Sequence, residues 1–216
     1  MLTGPELRPR SGAKPKRLII LLHGMGADGN NLIDIAGVLN RFIPDTHFIA
    51  PNAPYPYYPG MPGYQWVRSV REASETEIMD QLRIVDKIIN DFIDQQLERF
   101  GLTESDLAII GFSQGTIVSL HSFLRRKNPV ALIVGFSGAL FGPQLLEKEI
   151  ISKPPVLLIH GEEDDILPIQ MMHDAYKTLK TNGVEVEEHA YPNLAHSIGQ
   201  EGFELAVKHL KSKLGA

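Results

Sequence analysis

The segment Gly111-Phe112-Ser113-Gln114-Gly115 has the residue types and spacing of a serine nucleophile held in a tight turn. A serine on a sharp strand-to-helix turn projects its hydroxyl into a site, and the strained backbone leaves no room for side chains two residues away on either side. Glycine is therefore needed at both of those positions. The alternative is a Gly-Ser turn that caps an ordinary helix, because so short a pattern also occurs by chance. An apolar run before Ser113 and a helical pattern after it favour the nucleophile.

A serine hydroxyl is a poor nucleophile at neutral pH unless a neighbouring base takes its proton. Three histidines follow predicted strands: His23, His160 and His196. In enzymes that use this turn, the serine is followed along the chain by the acid and then by the histidine. His23 precedes the serine, and the two glutamates between the serine and His160 do not follow a strand. The chain order therefore favours His196 as the base.

The acid that orients the base is expected after the strand that precedes the last one. Four carboxylates compete in that loop: Glu162, Glu163, Asp164 and Asp165. At least three of them must be ordinary solvated loop acids. Position alone does not separate Asp164 from Asp165.

The segment 24–29 is a literal G-x-G-x-x-G after the first apolar run, a pattern that also occurs in dinucleotide sites. A dinucleotide site needs a carboxylate at the end of the next strand, about 20 residues further on. That strand ends in Ile49-Ala50-Pro51-Asn52, which holds none. The pattern instead favours an oxyanion hole, in which one amide comes from this loop and one from the residue after the nucleophile. The donors would be the amides of Met25 and Gln114, and we expect their side chains to tolerate substitution.

These residues require a sheet whose strand ends meet at one edge. The strong apolar runs predict strands at 18–23, 47–50, 107–112, 130–136, 156–160 and 184–190, and the periodic segments predict helices at 30–41, 74–100, 114–126, 169–180 and 200–214. Ser74 and Glu77 form a capping box, and Gly101 is a helix stop. Alternating strands and helices predict an α/β fold with a mostly parallel central sheet and helices on both faces. Ligands bind such sheets at the carboxyl ends of the strands.

The composition is that of an ordinary globular protein, with 43% apolar and 22% charged residues, and we expect residues 1–216 to form one domain. A net charge of −5 gives no electrostatic basis for a nucleic-acid partner. The chain has no cysteine, which excludes disulfides and fits a reducing compartment. Residues 1–17 lack a signal-peptide pattern, and the apolar run 18–22 is too short to cross a bilayer. We therefore expect a cytoplasmic protein without stable membrane insertion.

Taken together, the motifs resemble those of the phospholipase/carboxylesterase family, which includes the acyl-protein thioesterases. The similarity extends over nearly the whole chain and is carried by Leu21-Leu22-His23-Gly24-Met25-Gly26, Gly111-Phe112-Ser113-Gln114-Gly115, His160-Gly161-Glu162-Glu163-Asp164 and His196. The resemblance implies an α/β-hydrolase fold without a large lid domain, and no metal or organic cofactor. It selects Asp164 over Asp165 as the acid, and it implies Met25 and Gln114 as the oxyanion donors.

One segment departs from the family pattern. Relatives commonly carry Trp-Phe-Asp where this chain reads Trp66-Val67-Arg68, so the family's substrate preference does not transfer directly. The preceding loop, 52–66, is rich in tyrosine and proline, and it either forms an apolar wall for an acyl chain or packs on its own rings. We predict substrate contacts for Tyr64 and Trp66. Ser137 is expected to be structural, because no helix follows its strand directly.

These features predict a serine carboxylesterase or acyl thioesterase. The substrates would be small molecules, namely esters or thioesters of small to medium acyl chains, cleaved through an acyl-enzyme intermediate. Lysophospholipase or another α/β-hydrolase activity is one alternative, and a catalytically silent scaffold protein that kept the fold is another. A homodimer is compatible with the sequence.

Overall fold

The computed structural model describes residues 2–68 and 73–215. The strands are β1 (Glu6–Leu7), β2 (Arg17–Leu22), β3 (Thr46–Ile49), β4 (Tyr55–Pro56), β5 (Tyr64–Gln65), β6 (Leu107–Phe112), β7 (Leu132–Phe136), β8 (Val156–Gly161) and β9 (Val186–Tyr191). The helices are α1 (Gly29–Leu39), α2 (Glu75–Phe100), α3 (Gln114–Phe123), α4 (Pro143–Glu149), α5 (Gln170–Thr181) and α6 (Gln200–Lys213).

Seven strands form one sheet in the order β1-β3-β2-β6-β7-β8-β9, and β4 pairs with β5 in a separate hairpin. The short edge strand β1 runs antiparallel to β3, and the other pairs of the large sheet are parallel. The predicted α/β architecture with a mostly parallel sheet is confirmed. Because β2 and β6 to β9 are parallel, the loops that follow them lie at one edge of the sheet.

The central strands are apolar on both faces because helices cover both. In β2, the side chains of Leu18, Ile20 and Leu22 enter one core cluster, and those of Ile19 and Leu21 enter the other. Helices α2, α3 and α5 contribute to the first cluster, whereas α1 and α6 contribute to the second. This two-sided burial explains why the strands read as continuous apolar runs rather than as alternating ones.

Helix α2 has the predicted ends. Its N-cap Ser74 accepts a hydrogen bond from the Glu77 amide at 3.3 Å, and the Glu77 carboxylate accepts one from the Ser74 amide at 2.8 Å. Gly101 ends the helix in the left-handed conformation, with φ of 66°. The capping box and the glycine stop are both confirmed.

The predictions missed the short elements. The two-residue strands β1, β4 and β5 are too brief to leave a periodic pattern. No helix is predicted between strands 130–136 and 156–160, but that segment holds helix α4, with proline in its first turn. Helix α3 ends at Phe123, three residues before the predicted end. Within residues 2–68 and 73–215, each helix is either too short or too polar to serve as a membrane span.

Candidate active site

Ser113 occupies the junction between β6 and α3 in a strained backbone conformation. Its φ is 54° and its ψ is −118°, a combination that L-residues rarely adopt. The Ser113 amide donates to the carbonyl of Phe136, at the end of the neighbouring strand, at 2.9 Å. The turn has the strained strand-to-helix geometry that a nucleophile elbow requires, and the hydrogen bond to Phe136 anchors it to β7.

The two glycines of the elbow are needed for steric reasons. A Cβ atom at Gly111 would lie 2.6 Å from the Thr116 nitrogen, and one at Gly115 would lie 1.9 Å from the Leu22 carbonyl oxygen. Both contacts are with backbone atoms, which cannot move away cheaply. The elbow therefore packs against itself on one side and against β2 on the other.

The predicted base and acid are hydrogen-bonded to each other. Nδ1 of His196 lies 2.7 Å from Oδ2 of Asp164, whose side chain has no exposed surface. Asp165 is exposed, as are Glu162 and Glu163, so the loop holds one buried carboxylate and three solvated ones. The imidazole of His196 packs on the Phe112 ring with centroids 4.9 Å apart, next to Ser113.

The turn after β8 prepares Asp164 to stay ionised. Burial raises the pKa of its carboxyl, but the Leu167 amide, the His196 imidazole and the Ile166 amide outweigh burial and lower that pKa overall. The two amides reach Oδ1 at 2.9 and 3.0 Å, which leaves Oδ2 for the imidazole. An ionised, fixed carboxylate is suited to holding the proton of His196 on Nδ1.

No hydrogen bond joins the Ser113 hydroxyl to His196 within the part of the chain described here. Such bonds are often long without substrate and shorten in the reacting complex. The side chain of His196 is 17% exposed and the residue Ser113 is 9% exposed, so substrate has access to both.

The backbone amides of Met25 and Gln114 have no backbone acceptor among the described residues. Gln114 is the first residue of α3, where helix geometry leaves the amide unpaired. The loop that carries Met25 is held by the next amide, because that of Gly26 donates to the Tyr64 carbonyl at 2.8 Å. The prediction that Met25 and Gln114 are the oxyanion donors stays a prediction.

The Gln114 side chain makes buried contacts that are not those of a position expected to tolerate substitution. Its Oε1 accepts from the Trp66 amide at 2.5 Å, and its Nε2 donates to the Val67 carbonyl at 2.7 Å. All of these groups are buried. The side chain therefore fastens the segment 66–67 to the elbow.

The predicted substrate contact for Trp66 needs correction. Its side chain has no exposed surface, and its indole N–H donates to the His23 carbonyl at 2.9 Å. The ring thus supports residues 24–29, the candidate oxyanion loop, from inside the protein. Burial lowers the pKa of His23, which favours the neutral imidazole. Its Nδ1–H donates to the Gly24 carbonyl, and its Nε2 accepts a hydrogen bond from the Ala53 amide.

Tyr64 is half-buried and lies in the β4–β5 hairpin. Its backbone pairs with the oxyanion loop, because the Tyr64 amide donates to the Ala27 carbonyl at 2.8 Å. The predicted contact of its side chain with substrate stays a prediction. Rings of the hairpin also pack on each other, with Tyr57 and Tyr58 edge to face at 4.7 Å.

Sequence reasoning missed an apolar groove of about 510 Å³ at the carboxyl edge of the sheet. Its apolar lining includes Ile78, Ala139, Leu140, Phe141, Leu167 and Met171. Leu167 links the groove to the site, since its amide is bonded to Asp164. The available signal was the apolar character of the residues that follow β7 and β8.

A second, more polar groove of about 560 Å³ lies on the other side of the start of α2. It contains Arg68, the residue that departs from the family pattern. The guanidinium lies 3.9 Å from the centroid of the Tyr55 ring. A cation stacked in this way is attracted to the aromatic face.

A strained serine elbow, followed along the chain by a buried acid and a histidine at the same sheet edge, defines an α/β hydrolase. The chain matches the model of the Phospholipase/Carboxylesterase family over residues 9–214 and belongs to that family. Acyl-protein thioesterase 1 of Mycosarcoma maydis is 28% identical over 214 residues, covering 88% of each chain. Esterase YpfH of Escherichia coli is 28% identical, covering 94% of this chain and 85% of that protein. The crystal structure of esterase PE8 has a TM-score of 0.94 and 36% identity, covering 99% of both chains.

Proposed function

We propose that this protein is a serine hydrolase that cleaves carboxylic esters or thioesters of small to medium acyl chains. The observation that carries the proposal is the 2.7 Å contact between His196 and the buried Asp164, beside the strained elbow of Ser113. The family and the names of its similar proteins, esterases and acyl-protein thioesterases, point to the same reaction class.

In the acylation step, Ser113 Oγ attacks the acyl carbon as its proton passes to Nε2 of His196. The carbonyl π electrons move to the oxygen, which forms a tetrahedral oxyanion. When that oxyanion collapses, the bond to the alcohol or thiol breaks, and the leaving group takes the proton from Nε2. Ser113 is left as an acyl ester.

In the deacylation step, water attacks the acyl ester and gives its proton to His196. Collapse of the second tetrahedral species releases the carboxylic acid and returns the proton to Ser113 Oγ. Throughout, Asp164 holds the imidazole so that Nε2 faces the serine and stabilises the imidazolium. The amides of Met25 and Gln114 bind the oxyanion, and one such donor contributes about 3–4 kcal/mol in the transition state.

The apolar groove is the proposed site of the acyl chain. It opens beside the Asp164 turn and is lined mainly by aliphatic and aromatic side chains. Each methylene of the acyl chain that leaves water there contributes about 0.8 kcal/mol. The carboxylates of Glu75 and Asp174 also line the groove, which limits the length of chain that it favours.

The test of the function combines labelling with turnover. A fluorophosphonate probe should label the wild-type protein and Ser105→Ala, which removes an exposed hydroxyl, but not Ser113→Ala. Turnover of p-nitrophenyl esters, matched acyl thioesters and lysophospholipid should fall by several orders of magnitude in Ser113→Ala alone. Labelling of folded Ser113→Ala, or undiminished turnover by it, would refute the proposal. Absence of labelling in the wild type would favour the silent scaffold.

We also propose a cytoplasmic location, supported by the absence of cysteine, which suits a reducing compartment. Fractionation of the native host, with detection of this chain, tests that location. The homodimer stays a prediction, and sedimentation velocity measures it directly.

A further inference from the structure

Two buried polar atoms close to the site have no hydrogen-bond partner among the described residues. They are Nδ1 of His160 and Oγ of Ser137, in residues that are 1% and 0% exposed. An unpaired buried polar group costs about 1–3 kcal/mol. Native proteins rarely keep such a group without a reason.

The other nitrogen of His160 is tied to the acid turn. Nε2 donates to the Leu167 carbonyl at 2.7 Å and also lies 3.1 Å from Oδ2 of Asp164. The amide of the same Leu167 donates to Oδ1 of Asp164. His160, which is part of β8, therefore braces the turn that presents Asp164 to His196.

The hydrogen bond to Leu167 fixes the proton of the imidazole on Nε2, so Nδ1 is an acceptor. Burial lowers the pKa of His160, which agrees with a neutral ring. The charged or titratable groups that face this ring are Asp164 and His196. A neutral ring in this tautomer needs one donor for Nδ1.

Ser137 follows β7 directly. Phe136 and Ile159 form the last pair of the β7–β8 register, and the Ser137 amide donates to the Ile159 carbonyl at 2.8 Å. The residue adopts a strained φ of 46°. Its hydroxyl and Nδ1 of His160 do not bond each other, since neither atom has a partner among the described residues.

We propose that His160 is a positioning residue for the candidate catalytic acid, because its Nε2–H holds the Leu167 carbonyl and lies beside Oδ2 of Asp164. The inference rests on the proposed function. It assigns no bond-making step to His160. The ring keeps the carboxylate aimed at His196, and its polarised N–H lies close enough to Oδ2 to withdraw some negative charge.

The main test compares His160→Phe with His160→Gln. Phenylalanine keeps a planar ring but no N–H, whereas glutamine carries an amide N–H at a similar reach. We expect kcat of His160→Phe to fall about tenfold with KM within twofold, because a small displacement of a catalytic group lowers the rate but not binding. The acid limb of its pH profile should move to higher pH by about half a unit, since a carboxylate with fewer donors holds the protonated base more firmly. His160→Gln should recover most of both changes.

Ser137→Ala is the matched control, because it removes a buried hydroxyl that bonds neither His160 nor Asp164. Its acid limb should stay where it is in the wild type. If His160→Phe does not fold, His160→Asn replaces it, since its shorter amide does not reach the Leu167 carbonyl. An unmoved acid limb in folded His160→Phe or His160→Asn overturns the proposal. Wild-type protein that neither labels nor turns over would instead refute the proposed function.

Discussion

The side-chain amide of Gln114 accepts a hydrogen bond from the backbone N–H of Trp66 at 2.5 Å and so joins the elbow to a loop 48 residues earlier in the chain. The indole of Trp66 in turn donates to the carbonyl of His23, which precedes the oxyanion loop. The two proposed oxyanion donors, Met25 and Gln114, are therefore coupled through one buried tryptophan. Their relative position is set by side chains and not by the backbone alone.

Replacing Gln114 by Ala should lower kcat roughly 10- to 100-fold, because the buried Trp66 amide and Val67 carbonyl lose their partners and the oxyanion loop shifts. Gln81→Ala is the matched control. Gln81 makes the same two-point contact with the Arg68 backbone, at 2.8 and 3.2 Å, but at an exposed position. Its kcat should stay within about twofold of wild type. Equal losses in both variants would show that the loop contact matters only for folding.

Because Trp66 is buried, replacing it should affect all ester substrates alike, whereas a direct substrate contact would affect some of them more than others. Trp66→Phe should lower kcat for every ester in proportion, because it removes the hydrogen bond to His23 and loosens the oxyanion loop. The ratios of kcat/KM among p-nitrophenyl acetate, butyrate and octanoate should be unchanged. A shift in these ratios toward one chain length would restore the originally predicted contact with the acyl chain.

The apolar groove predicts how chain-length preference can be altered. Leu140→Trp places a larger ring in the groove, and it should lower kcat/KM for octanoate about tenfold while acetate is turned over as before. Ile84→Trp, an exposed change in the second groove, serves as the control. Equal effects on acetate and octanoate would place the acyl chain elsewhere.

The sequence predicts the elements that depend on local pattern and leaves open those that depend on tertiary contacts. Strand 107–112 is predicted with its observed bounds, because both faces of its six residues are covered and its pattern is unbroken. Asp164 and Asp165 are indistinguishable by position, because the choice depends on how a turn aims the amides of Ile166 and Leu167. Only the family resemblance separated them.

The contacts that support the candidate site could not be predicted from the sequence. The hydrogen bond between Gln114 and Trp66 joins residues that are 48 apart, and nothing in the local pattern of either segment signals it. The tyrosine- and proline-rich loop 52–66 suggested an apolar wall for an acyl chain, with packing on its own rings as the alternative. The ring of Trp66 is buried instead, because a hydrogen bond to His23 satisfies its N–H inside the protein.

The elbow glycine predicts a strong steric effect. Gly115→Ala should prevent folding or abolish turnover, because the new Cβ would lie 1.9 Å from the Leu22 carbonyl oxygen in the next strand. Gly37→Ala is the contrasting substitution, since a Cβ there meets nothing within 4 Å inside α1. It should raise the free energy of unfolding by about 0.5–1 kcal/mol, the difference between glycine and alanine in a helix. Urea unfolding of both variants provides the measurement, and a well-folded, active Gly115→Ala would contradict the packing of the elbow.

A buried histidine outside the site predicts how stability depends on pH. Burial, reinforced by the charge of Arg125, lowers the pKa of His121 to about 3, and neither ring nitrogen has a partner among the described residues. In the unfolded chain the pKa is about 6.5. Between these values the unfolded state binds a proton that the folded state does not, so the contribution of His121 to stability falls as the pH falls from 6.5 towards 3.

Replacing His121 by Leu should therefore stabilise the protein and make stability less sensitive to acid. Per pH unit of acidification below 6.5, the wild type loses up to about 1.4 kcal/mol through this group, and the variant loses none through it. Urea unfolding at pH 7 and pH 5 should show a gap between variant and wild type that widens at pH 5. His189→Leu, at an exposed position, should show no such widening. A gap that stays constant between the two pH values would mean that His121 is protonated in the folded protein.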